Sequence, residues 1–243
     1  MFDGSFGRKN LSSMIENLHH HNGPVEVVVR SSARQITLRL DHALRRATLV
    51  LPHRRYARQG AKLLEQRSTW LSAQWNKLPP PMPFVPDGEI LLHGNLVTLR
   101  HETGRGTAQL QVGELVVPAL RVEVFASRVR RALIGMAKET LASEVAHHEK
   151  ALDLSARRIS VRDTRSRWGS CSAAGNLNFS WRLICAPSSV LSYVAAHEVA
   201  HLREANHGPV FWAEVARTCA QTAAPRKYLR DHGPQLFAIG AEY

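Results

Sequence analysis

Residues 187–212 read PSSVLSYVAAHEVAHLREANHGPVFW. A proline followed by two serines is a common start of a helix. Apolar residues then recur at helical spacing, and Asn206, Gly208 and Pro209 supply residues that end helices. The stretch therefore predicts a helix from Val190 to about Glu204, with the letters HEVAH at 197–201 inside it.

Positions four apart on a helix lie on one face, so His197 and His201 can offer two imidazole nitrogens to one metal ion. Glu198 lies beside this pair, near enough to hold a metal-bound water without being a ligand. This H-E-x-x-H arrangement is typical of zinc hydrolases. Zinc lowers the pKa of its water, and Glu198 can act as the catalytic base that accepts the proton and passes it to the leaving group.

A catalytic zinc needs three protein ligands and one open position. His207 follows the predicted helix at a turn and is the favoured third ligand, with one Zn²⁺ per chain expected. Glu204 and Glu214 are the alternative third ligands. The alternative for the histidines themselves is that they are ordinary surface or core residues.

A short β section precedes the helix, with strands expected at 158–162, 168–172 and 176–180 and a turn at Ala174-Gly175. An edge strand beside a metal can pair with an extended substrate backbone. We therefore expect substrate-binding residues in this section, or else a closely packed hairpin with a core tryptophan. The candidates are Arg165, Arg167, Trp168, Gly169, Ser170 and Asn178.

An oxyanion-stabilising group is also needed for a tetrahedral intermediate. By residue type the candidates are Arg165, Arg167, Tyr228 and His232, and the sequence does not rank them. Arginines are also dense at 157–167, where they form either a surface for an anionic partner or a solvated rim.

The rest of the chain predicts an α+β protein. Residues 25–121 are expected to form a β-rich platform carrying one helix, Tyr56 to Leu78, which ends at a proline-rich break. Residues 122–243 are expected to form a mostly helical domain, with helices from Val122 to Leu152 and from Val210 to about Thr222. Residues 1–24 are polar and glycine-containing and are expected to be flexible.

Composition limits the class of protein. The chain has 243 residues, of which 44% are hydrophobic and 21% charged, so a globular core is expected. No apolar run is long enough to cross a membrane, and three cysteines with no apolar leader indicate a reduced, cytoplasmic protein. The net charge is +12, with the excess in residues 1–186, which allows a polyanion such as nucleic acid as a partner.

Several motifs resemble the YgjP-like metallopeptidase family, which is related to SprT-type zinc proteases. They are 163–172 (DTRSRWGSCS), 175–178 (GNLN), 181–183 (WRL), 197–202 (HEVAHL) and 206–212 (NHGPVFW). The resemblance extends from about residue 25 to 240, but residues 163–212 are the specific part. It implies a zincin-like, minimal gluzincin-type core with the metal on His197, His201 and His207 and Glu198 as base.

The leading interpretation is a zinc-dependent metallopeptidase that hydrolyses peptide bonds in a peptide or protein substrate. Two alternatives remain open. One is a metal-dependent hydrolase of an anionic small molecule such as a nucleoside triphosphate. The other is a nucleic-acid-associated protein, either a SprT-like protease or a binding protein with a structural metal.

Overall fold

The computed structural model describes residues 19–21, 23–41, 46–164 and 167–241. The chain divides into two compact units, Met1–Pro79 and Pro80–Tyr243. Most of the flexible segment predicted at 1–24 lies outside the described residues. The border between the units falls in the proline-rich break, whereas the sequence favoured a border at 121/122; the predicted domain limits stay a prediction.

The first unit contains a four-stranded sheet formed by β1 (His19–His20), β2 (Gly23–Val29), β3 (Thr37–Asp41) and β4 (Arg46–Leu51). Its strand order is β1-β2-β4-β3, with β2 and β4 parallel and the other pairs antiparallel. The alternation of buried and partly exposed residues along β4 is what a sheet with one covered face requires. The β-rich character predicted for this part of the chain is confirmed.

The helix predicted from Tyr56 to Leu78 is divided into α1 (Ala57–Gln66) and α2 (Ser68–Trp75). Arg67 separates them with φ of −99° and ψ of 8°, outside the α-helical range. The break lets α1 place Leu64 and α2 place Leu71 in one buried cluster with Ala47 of β4. A helical pattern alone does not reveal such a kink.

The second unit begins with another four-stranded sheet, made of β5 (Glu89–Leu92), β6 (Asn95–Glu102), β7 (Gln109–Gln111) and β8 (Glu114–Pro118). The strand order is β5-β6-β8-β7. The turn between β5 and β6 contains Gly94 at φ +82°. The N–H groups of this turn donate to the carbonyls of Ile184 and Cys185 at 2.9 and 3.1 Å, which ties the sheet to the segment that leads into the HEVAH helix.

Helix α3 (Phe125–Leu152) is the longest described helix and follows a 3-10 turn at Val122–Val124. Its buried residues recur every three or four positions, as expected for a helix with one covered face. They form one core cluster with apolar residues of β5, β6 and β8 and of the helix that carries HEVAH. The predicted helix over this range is confirmed.

The short β section forms a three-stranded sheet from β9 (Arg158–Arg162), β10 (Gly169–Cys171) and β11 (Asn176–Ser180). β11 is central, antiparallel to β10 and parallel to β9. Gly175, at φ +73°, makes the predicted turn before β11. β10 is thus an edge strand, as its predicted role requires.

Three helices complete the unit: α4 (Ser188–Ala200), α5 (Pro209–Thr218) and α6 (Ala223–Ala238). α4 carries the HEVAH residues and is buried on nearly all sides, which marks it as the central helix of the core. Helix α6 was not predicted. Pro225 lies in its first turn, where proline is tolerated, while Pro234 interrupts its helical pattern.

The α+β fold class and the helical character of the C-terminal part are therefore confirmed. Among the described helices, none has the length and apolar character needed to cross a membrane.

Candidate metal centre

Three histidines converge where α4 meets α5. The Nε2 atom of His207 lies 3.0 Å from Nε2 of His197 and 3.2 Å from Nε2 of His201. Metal–nitrogen bonds of about 2.0–2.1 Å at tetrahedral angles require nitrogens about 3.3–3.4 Å apart. The three rings thus converge closely enough for one ion, and they are the described group whose ligand atoms could hold a metal.

The hydrogen bond that His201 makes to the backbone fits the role of a metal ligand. Nδ1 of His201 lies 2.9 Å from the carbonyl oxygen of Glu204, to which only a protonated Nδ1 can donate. The Nε2 atom of the neutral ring is then an acceptor aimed at the other two histidines. In this way a backbone carbonyl fixes the tautomer that a metal ligand needs.

The charge state of the triad points the same way. Burial, and then the neighbouring His201, His207 and Arg226, lower the pKa of His197 to about 4. Burial also lowers the pKa of His201 below its ordinary value. Both rings are therefore neutral at physiological pH, the form in which imidazole binds metal.

The ring of Phe211 packs against all three histidine rings. Its side chain is fully buried, and its ring centroid lies 4.8, 4.5 and 4.7 Å from those of His197, His201 and His207. The bend at Gly208-Pro209 brings His207 back to the other two histidines. It also places Phe211 in the first turn of α5, against these rings. The sequence analysis assigned Phe211 no role, because aromatic residues in an amphipathic helix are usually core.

Glu198 lies next to the triad and is 5% exposed. Its Oε2 atom and Nδ1 of His197 have no hydrogen-bond partner within the described part of the chain. Burial raises the pKa of Glu198 to about 7, while the positive charge of Arg167 opposes the rise. A carboxyl group with such a pKa can exchange a proton near neutral pH.

Gly169 of β10 lies directly against this carboxylate. A Cβ atom at position 169 would lie 2.5 Å from Oε1 and 2.6 Å from Cγ of Glu198. Such distances are far below van der Waals contact, so the approach of strand to carboxylate requires glycine here. The sequence expectation that Gly169 permits a close backbone approach agrees with this geometry.

The free edge of β10 faces away from the sheet. Ser180 N donates to Trp168 O at 2.8 Å, and Ser172 N donates to Asn176 O at 3.0 Å. Hydrogen-bonded pairs alternate in an antiparallel ladder, so Ser170 is paired with Asn178 in the same way. The N–H and C=O groups of Gly169 and Cys171 then point outward, where an extended chain could bind them.

Two cavities flank Glu198 and His197. The first, of about 390 Å³, we call the histidine cavity; besides those two residues it is lined by Arg167, Gly169, Ser170, Cys171, Ser172, Ala173, His201, Ala205 and His207. The second, of about 380 Å³, we call the arginine cavity; it shares Arg167, Gly169, His197 and Glu198 and adds Trp168, Tyr193, Val194, Arg226 and Leu229. Together they form a cleft along β10, with Glu198 in the middle.

The other predicted residues are placed as follows. Arg167, Trp168, Gly169 and Ser170 line the cleft, whereas Asn178 lies in the central strand β11. Of the described oxyanion candidates, Tyr228 and His232 line neither cavity and lie against each other, with ring centroids 4.6 Å apart and planes tilted by 32°. Arg165 lies outside the described residues. Tyr193 and Arg226, which line the arginine cavity, were not singled out by the sequence.

Of the arginines at 157–167, the described members Arg158, Arg162 and Arg167 do not line one cavity. Arg167 is at the cleft, but Arg158 and Arg162 are on β9, separated from β10 by the central strand β11. With Lys138 of α3 they line a different cavity of about 420 Å³. Sequence proximity to the site therefore does not make this cluster part of it.

Two helix histidines with a carboxylate between them, a third histidine and an open cleft are the arrangement of metal-dependent hydrolases. A family model described as YgjP-like, metallopeptidase domain, matches residues 34–232. The match covers most of the chain, which therefore belongs to the YgjP-like family, and the predicted resemblance is confirmed.

A solved structure is also similar to part of this chain: the crystal structure of the metallopeptidase zymogen of Pyrococcus abyssi abylysin. The two are 18% identical with a TM-score of 0.34, and the alignment covers 38% of this chain and 92% of that one. A comparison with curated proteins gave no match.

Proposed function

We propose that this chain is a zinc-dependent metallopeptidase with one zinc ion held by His197, His201 and His207. The observation that carries the proposal is the convergence of three Nε2 atoms beside the buried carboxylate of Glu198. Three nitrogen ligands with one open position form the donor set of hydrolytic zinc, and imidazole suits zinc better than magnesium. Membership of a metallopeptidase-domain family supports the same chemistry.

Bound at these nitrogens, zinc would lower the pKa of a water molecule towards neutrality and polarise the scissile carbonyl. Glu198 accepts the proton of that attacking water and then donates it to the nitrogen of the leaving amine. Its pKa near 7 suits both steps, because the group must gain and lose a proton in each turnover.

The edge of β10 orients the substrate in this proposal. An extended peptide that pairs with the outward backbone groups of Gly169 and Cys171 passes directly over the Glu198 carboxylate, which Gly169 contacts. Main-chain hydrogen bonds give such binding little dependence on side chains, while the two cavities receive side chains on either side of the cleaved bond.

The decisive test is Glu198→Gln, which keeps the size of the side chain but cannot accept the proton. We expect zinc to stay at about one ion per chain and hydrolysis of a denatured protein to fall by at least about a hundredfold. Zinc is measured by emission spectroscopy and hydrolysis by release of peptides.

The matched control is Glu204→Gln, because Glu204 contributes its backbone carbonyl, not its carboxylate, to His201. This control should keep both zinc and activity. Loss of zinc in Glu198→Gln would make Glu198 a ligand, and undiminished hydrolysis would place the chemistry elsewhere.

A further inference from the structure

The two cavities along β10 differ in charge, although both border Glu198. The residues that line only the histidine cavity are serine, cysteine or alanine, apart from His201 and His207. Arg167 and Glu198 line both cavities, so the difference in charge is Arg226, which lines the arginine cavity alone. The two ends of the cleft are thus built for different substrate groups.

The two guanidinium groups are available to a ligand. Within the described chain, neither Arg167 nor Arg226 forms a salt bridge, although other arginines such as Arg182 and Arg203 do. Arg226 lies over the ring of Trp212, with its Cζ atom 4.7 Å from the ring centroid. This stacking holds the guanidinium in place without using its hydrogen-bond donors.

The position of Arg226 does not favour the stability of its helix. It lies in the first turn of α6, where the helix dipole disfavours a positive charge. The same dipole adds positive potential to the adjoining cavity. A cation placed against the dipole, stacked on an aromatic ring and lacking an acidic partner is better explained by a ligand than by the fold.

The rest of the cavity wall strengthens an anion interaction. Trp168 is held by stacking on Phe237, with ring centroids 4.5 Å apart, and Tyr193 is 5% exposed. With Leu229 and Val194 these side chains form an apolar wall on one side of the cavity. A carboxylate lying against this wall would be within the reach of charge-assisted hydrogen bonds from the guanidinium groups.

We propose that the arginine cavity binds a carboxylate of the peptide substrate through Arg167 and Arg226, and so selects an acidic group on that side of the cleaved bond. The inference rests on the proposed peptidase function and adds the substrate class. The carboxylate is either an aspartate or glutamate side chain or the free C-terminus of the peptide, because both present the planar group that a guanidinium binds with two hydrogen bonds.

Binding is measured without turnover in the Glu198→Gln protein. Four peptides of one sequence carry Glu or Gln at a position near the cleaved bond and either a free or an amidated C-terminus. We expect a carboxylate-bearing peptide to bind about tenfold more tightly than its neutral counterpart. An effect of Glu over Gln identifies the side chain, and an effect of the free over the amidated end identifies the C-terminus.

The variant Arg226→Glu should abolish this preference or reverse it towards a Lys-containing peptide. Arg230→Glu is the matched control: it lies one turn along α6, is exposed and lines neither cavity, so its preference should equal that of the parent. Loss of preference in Arg226→Glu with retained binding of the neutral peptide supports the proposal.

Equal binding of all four peptides, no binding of any, or an unchanged preference in Arg226→Glu would overturn the proposal. Cleavage of the neutral peptide by the parent protein is followed in parallel, with its zinc content. Hydrolysis that does not distinguish acidic from neutral peptides removes the carboxylate site but leaves the peptidase function. Hydrolysis of a nucleoside triphosphate that depends on Glu198, without any peptide cleavage, removes both.

Discussion

His207 is the exposed member of the triad, and its position depends on the turn that follows α4. Because two nitrogens alone hold zinc weakly, His207→Ala should lower the zinc content far below one ion per chain. Glu214→Ala should retain the metal, since both carboxylate oxygens of Glu214 are engaged by Arg203 and Arg217. Emission spectroscopy on dialysed proteins compares the two variants, and equal zinc in His207→Ala and the parent would refute the assignment.

The variant Gly169→Ala tests whether β10 must contact the carboxylate of Glu198. In Gly169→Ala the new methyl group would meet Glu198 at 2.5 Å, so either β10 or the carboxylate must move. Because a misplacement of about 1 Å can cost about a hundredfold in rate, we expect a loss of this order in hydrolysis with zinc still bound.

The control for this variant is Gly135→Ala in α3, where an added Cβ meets nothing within 4 Å. Alanine is favoured over glycine inside a helix by about 1 kcal/mol, so this variant should be as active as the parent and slightly more stable. Full activity in Gly169→Ala would mean that the substrate is not held along β10 over Glu198.

At the scale of elements, His148 joins three helices of the core. This residue of α3 is buried. Its Nδ1 atom lies 2.6 Å from Oγ1 of Thr218 at the end of α5, and its Nε2 atom lies 3.1 Å from Oγ of Ser192 in α4. Burial, followed by the charge of His147, lowers the pKa of His148, while Glu144 and Ser192 oppose this. The folded protein therefore holds His148 neutral over a wider pH range than the unfolded chain does.

A lowered folded-state pKa means that the unfolded chain binds more protons. The contribution of His148 to stability is thus complete above its unfolded pKa of about 6.5 and is lost as the pH falls towards the folded pKa. His148→Gln cannot titrate but can still bond both hydroxyls, so its stability should fall less between pH 7.5 and 5.5.

Urea unfolding at the two pH values measures this difference. His147→Gln should reduce the acid sensitivity only in part, because the charge of His147 is the smaller of the two causes that lower the pKa of His148. An identical fall in stability for His148→Gln and the parent would show that His148 does not contribute to the pH dependence.

Local patterns explain which elements could be predicted. The periodicity of α3 and the HEVAH spacing are contained within one helix each, so the helix, the histidine pair and Glu198 followed directly from sequence. The break at Arg67 and helix α6 were missed because tertiary packing overrides a local pattern in the first case and prolines obscure it in the second. Arg226 could not be placed beside the cleft from sequence while its helix was unrecognised.

At the scale of the whole molecule, the positive charge is distributed over separate surfaces. Arg167 and Arg226 line the cleft, while Arg158 and Arg162 lie beyond the central strand β11. The density of arginines at 157–167 left open a single basic surface. In the structure, the central strand β11 lies between the arginines of β9 and the strand β10 that borders the cleft. A polyanion bound at β9 would therefore not have to enter the cleft.

The core of the second unit leads to the last prediction, about which segment folds alone. Apolar residues of β5, β6 and β8, such as Ile90, Leu99 and Leu115, belong to the same buried cluster as α3 and α4. A fragment of residues 80–243 retains this cluster whole, whereas a fragment of residues 122–243 loses its β-sheet side. We expect the longer fragment to unfold cooperatively and to bind about one zinc, and the shorter one to be unfolded or aggregated.

Circular dichroism during thermal unfolding and zinc analysis of both fragments, beside the full chain, make the comparison. The physical reason for the expected difference is that removing β5–β8 would expose side chains that are now fully buried, and each large one contributes about 1.5–3 kcal/mol through its burial. A stable, zinc-binding fragment of residues 122–243 would instead support the predicted border at 121/122. The sheet would then be an accessory to the metal centre rather than part of its core.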